Sequence, residues 1–224
     1  MTTPKALLLD MDGLMIDTEW MLAKFWMQAA HEAGFPMELE HVLGIRSLAA
    51  IYAKPKLQGI FGEEFDYERI RARRRELTAQ YIAAHGITAK AGLHELLHYA
   101  KAHGIRLAVT TATDRERTNE YLRQIGVYEL FDAFICGDMV RHGKPDPETY
   151  LTASKTVGFA PEECFALEDS PNGILSAHAA GCKPVMIPDL SEPDDTIRPY
   201  LFACVKTLAD VIPLLKGETD GKTE

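Results

Sequence analysis

The sequence predicts an α/β fold: a Rossmann-like parallel sheet with helices on both faces, plus an inserted all-helical cap. Three observations carry this. Ala6-Leu7-Leu8-Leu9 is an unbroken apolar run, the pattern of a strand buried on both faces. From residue 93 onward helical and strand patterns alternate, which implies parallel strands joined by right-handed crossovers. Between these two parts, residues 15–89 carry helical periodicity only.

The elements follow in order. The first strand ends at Asp10-Met11-Asp12-Gly13. Alternate strand residues point to the same side, so Asp10 and Asp12 are expected to project together. Gly13 allows a sharp turn. Residues 18–33 read as a helix with Met21, Leu22, Phe25, Trp26 and Ala29 on one stripe, Thr18 as N-cap and Gly34 as stop. A second helical stretch covers 39–52 and breaks near Pro55. A third covers 65–85, with Tyr67, Ile70, Leu77, Tyr81 and Ile82 on its apolar side. Its arginines, Arg69, Arg71, Arg73, Arg74 and Arg75, mostly lie off that stripe. They read as a solvated face, or as a source of one arginine reaching a substrate phosphate.

Beyond the Gly86–Gly92 punctuation, a helix covers 93–103 and a strand 105–111. A helix follows over 114–125, then a short strand over 133–136. Gly143-Lys144-Pro145-Asp146-Pro147 is a turn that opens a helix, with Pro147 suited to its first position. A fourth strand covers 164–169 and again ends in acids, Glu168 and Asp169. Its helix spans 170–180. Strands over 183–187 and 201–205 and a helix over 208–215 complete the series. Residues 217–224 are polar and aperiodic, a frayed tail. The domain reading is therefore a core of 1–14 and 90–216, a cap of 15–89 and a tail of 217–224.

Composition excludes several function classes. The 224 residues are 46% hydrophobic and 25% charged, as in a soluble globular protein. A net charge of −9 argues against nucleic acid as a partner, although a bound metal can reverse the field locally for an anionic substrate. The four cysteines, Cys136, Cys164, Cys182 and Cys204, show no CxxC spacing, so a zinc site is not expected. Asp10 follows too few apolar residues for a secretory signal, and no apolar run reaches membrane-spanning length. The reading is a cytoplasmic monomer with neither membrane nor nucleic-acid partner. An EF-hand at Asp10 fails, because that loop needs glycine sixth and a ligand fifth, and here Met15 and Leu14 hold those places.

Four strand ends thus present polar groups: Asp10 with Asp12, Thr111 with Ala112, Lys144, and Glu168 with Asp169. The carboxyl ends of parallel strands are where open α/β sheets bind ligands. Paired carboxylates repel unless a cation or shared proton lies between them. Mg²⁺ takes one or two carboxylates plus phosphate oxygens. Together these groups make a parts list for phosphoryl transfer, which needs positioning and charge neutralisation.

In these four motifs, in this order, the sequence resembles the haloacid dehalogenase superfamily of hydrolases from Lys5 to about Leu215. It is most similar to the subfamily with a small helical cap, which includes β-phosphoglucomutase and sugar-phosphate phosphatases. The Pro171-Asn172-Gly173-Ile174 run adds to the likeness. The resemblance implies Asp10 as nucleophile and Asp12 as general acid and base. It implies Mg²⁺ held by Asp10, the Asp12 backbone carbonyl and Asp169, with Glu168 as a further ligand or support. Thr111, Ala112 and Lys144 would hold the phosphoryl group, and Arg46 and Arg74 are candidates for cap specificity. The acid at Asp12 argues against dehalogenase and phosphonatase chemistry. Residues 20–28 contain no histidine, which weighs against a mutase, and Ala91-Gly92 stands where the family usually has Pro-Gly. The expected function is a Mg²⁺-dependent phosphatase acting on a small phosphorylated metabolite, a sugar phosphate by preference. The alternatives are a β-phosphoglucomutase-like mutase and a non-catalytic metabolite-binding protein.

Overall fold

The computed structural model describes residues 3–218. Six parallel strands form one sheet in the order β3-β2-β1-β4-β5-β6. They are β1 (Ala6–Leu9), β2 (Arg106–Thr110), β3 (Ala133–Ile135), β4 (Cys164–Glu168), β5 (Lys183–Met186) and β6 (Ala203–Cys204). The sheet reverses direction of growth at β1, with β2 on one side of it and β4 on the other. That reversal places the ends of β1, β2 and β4 side by side. All four residues of β1 are wholly buried, as an apolar run in the middle of a covered parallel sheet should be.

Four helices lie between β1 and β2 in the chain before the crossover helix α5 (Leu93–Ala102). They are α1 (Glu19–Glu32), α2 (Leu39–Leu43), α3 (Ala50–Phe61) and α4 (Tyr67–His85). They share a core in which Trp26, Phe65, Tyr67, Ile70 and Leu57 are buried. Two chain crossings join this helical segment to the sheet, and they are bonded to each other. Ile16 bridges Ala89, the Asp17 N–H donates to the Thr88 carbonyl at 3.0 Å, and the Lys90 N–H to the Met15 carbonyl at 2.9 Å. The remaining helices are α6 (Arg115–Gln124), α7 (Glu148–Val157), α8 (Pro171–Ala179) and α9 (Val211–Lys216).

Three local readings need correction. The second helical stretch ends at Leu43, not near Pro55, and a separate helix α3 runs straight through Pro55. The proline leaves the Ile51 carbonyl without its helical partner. Ile51 is 51% exposed, so water can supply that bond. Between the two helices Ser47 takes φ +55°, a left-handed conformation that costs a side-chain-bearing residue energy. Thr18 precedes α1 but makes no side-chain cap bond, because its hydroxyl is used elsewhere. Pro147 is the N-cap of α7 rather than its first residue. Of the proposed tail, residues 219–224 lie outside the described residues.

Candidate active site

All six buried charged side chains among the described residues meet at one place: Asp10, Glu19, Arg46, Lys144, Glu168 and Asp169. The sheet supplies the acids. Asp10 follows β1, Glu168 closes β4, and Asp169 follows it. Asp10 and the neighbouring acids Glu168 and Asp169 each offer an oxygen within 4.8 Å of the others.

Lys144 holds two of them. Its ammonium donates to Asp10 Oδ1 at 2.5 Å, to Glu168 Oε1 at 2.5 Å and to the Thr110 carbonyl at 2.9 Å. Burial opposes the charge on Lys144, but Asp10 and Glu168 more than offset it, so the ammonium stays protonated well above the ordinary range. Burial likewise pushes the Asp10 carboxyl well up, with Lys144 pulling it back down. One ammonium facing two carboxylates leaves a surplus negative charge that burial penalises.

Arg46, from the turn between α2 and α3, closes the other half. Its guanidinium donates to the Asp169 carboxylate and, at 3.2 Å, to the Asp169 carbonyl. It also donates to Ser191 Oγ at 3.0 Å and lies 3.4 Å from Glu19 Oε2. Burial raises the Glu19 carboxyl to about 8, against the pull of Arg46. Fully ionised, the four carboxylates of the cluster face two cations. The two charges left over equal those of one divalent ion.

Two buried oxygens here have no hydrogen-bond partner, Asp10 Oδ2 and Asp169 Oδ1. Orphaned buried carboxylate oxygens are rare and call for a bound ligand or a reactive role. An acidic set with these free oxygens fits a hard divalent cation. Glu168 differs: Oε1 accepts from Lys144 and, at 2.6 Å, from the Tyr150 hydroxyl, while Oε2 accepts from Ser170 Oγ at 3.3 Å.

Asp12 is held apart from the cations. Oδ1 accepts from the Thr18 hydroxyl at 2.8 Å and Oδ2 from the Thr113 hydroxyl at 2.7 Å. Thr18 is thus an acid-positioning side chain. The Thr111 hydroxyl oxygen accepts from the Thr113 N–H at 3.0 Å, which leaves its own proton free to donate. Asp10, Asp12, Thr111 and Ala112 line one cavity of about 100 Å³. Glu19, Arg46, Arg71, Arg74 and Arg117 complete its charged wall, and Trp26 and Leu22 are among its apolar residues.

Two glycines are pressed against the acids. A Cβ on Gly13, which has φ +82°, would lie 2.3 Å from Asp169 Oδ2, and one on Gly173 would lie 2.0 Å from Glu168 Cδ. Gly173 also donates its N–H to Ser170 Oγ, the N-cap of α8.

The structure therefore brings Asp10, Asp12, Thr111, Ala112, Lys144, Glu168 and Asp169 to one site. Arg74 lines the cavity, and Arg46 is committed to Asp169, Ser191 and Glu19. Sequence reasoning missed Tyr150, Thr18, Thr113, Glu19 and Arg117. Thr113 lies two residues beyond Thr111 at the same strand end, and Tyr150 carried no signal beyond its helix.

The haloacid dehalogenase-like hydrolase family model matches residues 7–187. The chain belongs to that family of hydrolases. It is 29% identical over 177 residues to the phosphorylated carbohydrates phosphatase of Thermotoga maritima, covering 79% of this chain and 82% of that one. It is 29% identical over 199 residues to hexitol phosphatase A of Escherichia coli, covering 87% and 86%. The fold matches β-phosphoglucomutase of Clostridium difficile with a TM-score of 0.79 at 19% identity, over 97% of this chain and 98% of that one. Within the family, the chain is a phosphatase. Among the described residues, no helix is long and apolar enough to cross a membrane.

Proposed function

We propose that this phosphatase hydrolyses a small phosphorylated sugar or polyol through an aspartyl-phosphate on Asp10, with Mg²⁺ as cofactor. The observation that carries the reading is the state of the Asp10 carboxylate. Lys144 fixes Oδ1, while Oδ2 is buried, unpartnered and beside a cavity that also contains Asp12.

Asp10 Oδ2 attacks phosphorus as the ester oxygen leaves, and Asp12 gives that oxygen its proton. Lys144, the free proton of Thr111 and the backbone at Ala112 hold the phosphoryl oxygens. Asp12 then takes a proton from water, which attacks phosphorus and frees Asp10 and inorganic phosphate. Asp10, Asp169 and the Asp12 carbonyl would hold Mg²⁺, which when bound neutralises phosphoryl charge. Glu168 supports Lys144, its oxygens being taken. Residues 15–89 act as the cap, whose cavity is smaller than the roughly 300–1,000 Å³ of ordinary ligand pockets. The cap must therefore lift to admit a sugar phosphate.

Phosphatase relatives such as the phosphorylated carbohydrates phosphatase support the substrate class. The absence of histidine in residues 20–28 favours hydrolysis over mutase turnover. The test is phosphate release from a panel of sugar and polyol phosphates, with Mg²⁺ and with chelator. Release from none of them with Mg²⁺ present would refute the reading. Conversion of β-glucose 1-phosphate to glucose 6-phosphate without net phosphate release would establish the mutase instead.

A further inference from the structure

Three arginines of α4 carry positive charge that no carboxylate among the described residues pairs with. Arg46 and Lys144 answer the buried acids, and the Thr18 and Thr113 hydroxyls answer Asp12. Arg117 is tied to Asp114, at 2.6 Å and 2.9 Å. Arg73 is tied to Glu32 and Glu76. Arg71, Arg74 and Arg75 pair with no carboxylate among the described residues, in a chain of net charge −9.

Their placement is specific. Arg71 and Arg74 line the cavity that contains Asp10 and Asp12, and Arg71 and Arg75 line the one adjoining it at Thr111 and Lys144. The Nε atoms of Arg74 and Arg75 are shut off from solvent with no hydrogen-bond partner. Arg74 lies over the Trp26 ring, 5.2 Å from its centroid, which fixes the plane of the guanidinium. Burial, then Arg117 and Arg71, pull the Arg74 pKa down to about 10. Like charges gathered in a shielded wall, with donors unused, are the form of an oxyanion receptor, because a guanidinium meets phosphate or carboxylate with two parallel bonds.

We propose that Arg71 and Arg74, with Arg117 beside them, form a subsite for a second anionic group on the substrate, a distal phosphate or a carboxylate. This rests on the phosphatase reading and narrows its substrate class to phosphate esters with two anionic ends. One ester P–O bond is cleaved at Asp10, water supplying hydroxyl to phosphorus and a proton to the departing oxygen. The distal group is bound and not transformed. Trp26 and Leu22 face the carbon skeleton between the two ends.

The test compares kcat/KM for fructose 1,6-bisphosphate against fructose 6-phosphate, and for phosphoglycolate against ethyl phosphate. Each pair differs by the second anion. A charge-assisted bond contributes about 1.5–3 kcal/mol, so one member should win by roughly 10- to 150-fold. Preference for the bisphosphate identifies a distal phosphate, and preference for phosphoglycolate a carboxylate. In Arg74→Met, and in the half-buried Arg71→Met should Arg74→Met fail to fold, that ratio should collapse toward one. Arg69→Met, exposed on the same helix, should keep it. Hydrolysis of all four esters with equal kcat/KM within each pair overturns the subsite and leaves the phosphatase standing. Hydrolysis of none of the four while other phosphate esters are cleaved also overturns the subsite, and hydrolysis of no phosphate ester at all overturns the phosphatase reading itself.

Discussion

Lys144 bonds Asp10 and Glu168 with a single ammonium, 2.5 Å from each, and so ties the end of β1 to the end of β4. Its position is set by the interior of the fold. Tyr150 on α7 donates to the same Glu168 oxygen, and Thr110 at the end of β2 accepts from the ammonium.

Lys144→Met should therefore weaken the fold as well as the chemistry. It leaves Asp10 and Glu168 buried without a cation, a loss of about 3–5 kcal/mol. Urea unfolding in chelator measures it. Adding Mg²⁺ should recover part of the loss, since a second cation then faces Asp10. Unchanged stability in chelator would mean that Lys144 does not hold the acids together.

Asp10→Asn should fold normally and lose turnover by roughly 10⁴-fold or more, as removal of a covalent nucleophile does. Near-normal phosphate release from a mass-verified, folded variant would remove Asp10 from that role.

Asp12→Ala separates proton transfer from binding. An alkoxide leaving group needs a proton, so a sugar phosphate should react roughly 10²–10⁴-fold more slowly. An aryl phosphate leaves unaided, so its first step should suffer much less while phosphoenzyme accumulates for want of a base. Rapid-quench kinetics on both substrates decides. Equal slowing of the first step would make Asp12 structural.

The cluster of acids was legible because β1 and β4 announce themselves. Ala6–Leu9 is apolar throughout, and in both strands the acids fall immediately where the apolar run stops. Helix–strand alternation implies that the strands run parallel, while the place of β1 between β2 and β4 is seen in the structure. What stayed hidden depends on distance in space. Tyr150 is one tyrosine on a helix until α7 packs against β1, β2 and β3 and brings its hydroxyl to Glu168. Glu19 looks like an ordinary polar residue of a helical segment, and Arg46 reads as a candidate for cap specificity; only the structure shows the two buried together, with Arg46 on Asp169. Thr18 carries the signature of an N-cap, but a longer-range bond to Asp12 wins its hydroxyl. Pro55 reads as a helix stop, yet the carbonyl it strands is at the surface.

Removing divalent metal should lower stability, because Asp10 and Asp169 lie close together and each keeps a buried carboxylate oxygen without a partner. At Mg²⁺ concentrations about 100 times the dissociation constant, the gain is about 2.7 kcal/mol. Thermal melts across a Mg²⁺ titration measure it. Asp169→Ala should abolish most of the shift, and a full shift in that variant would place the ion elsewhere.

Glu19 sets a pH dependence in the metal-free protein. Its folded pKa of about 8 lies above its ordinary value of 4.5, with burial as the main cause. The folded state then binds more protons than the unfolded one between those values. The stability that Glu19 contributes is fully present below about pH 4.5 and is lost as pH rises through about 8. Glu19→Gln should flatten that fall in urea unfolding series taken across the window. An unaltered slope would show that Glu19 is ionised throughout.

Gly13 and Gly173 press their bare α-carbons against Asp169 and Glu168. They shape the acidic cluster by what they lack. Alanine scanning, which tests residues by deleting atoms, assigns importance to side chains and treats such positions as background. Here the smallest addition is the severe one. A single methyl at either position occupies space already held by a buried carboxylate, and at Gly13 it must also bear a left-handed backbone. Two lesions of activity can thus arise at places where no functional group was ever present.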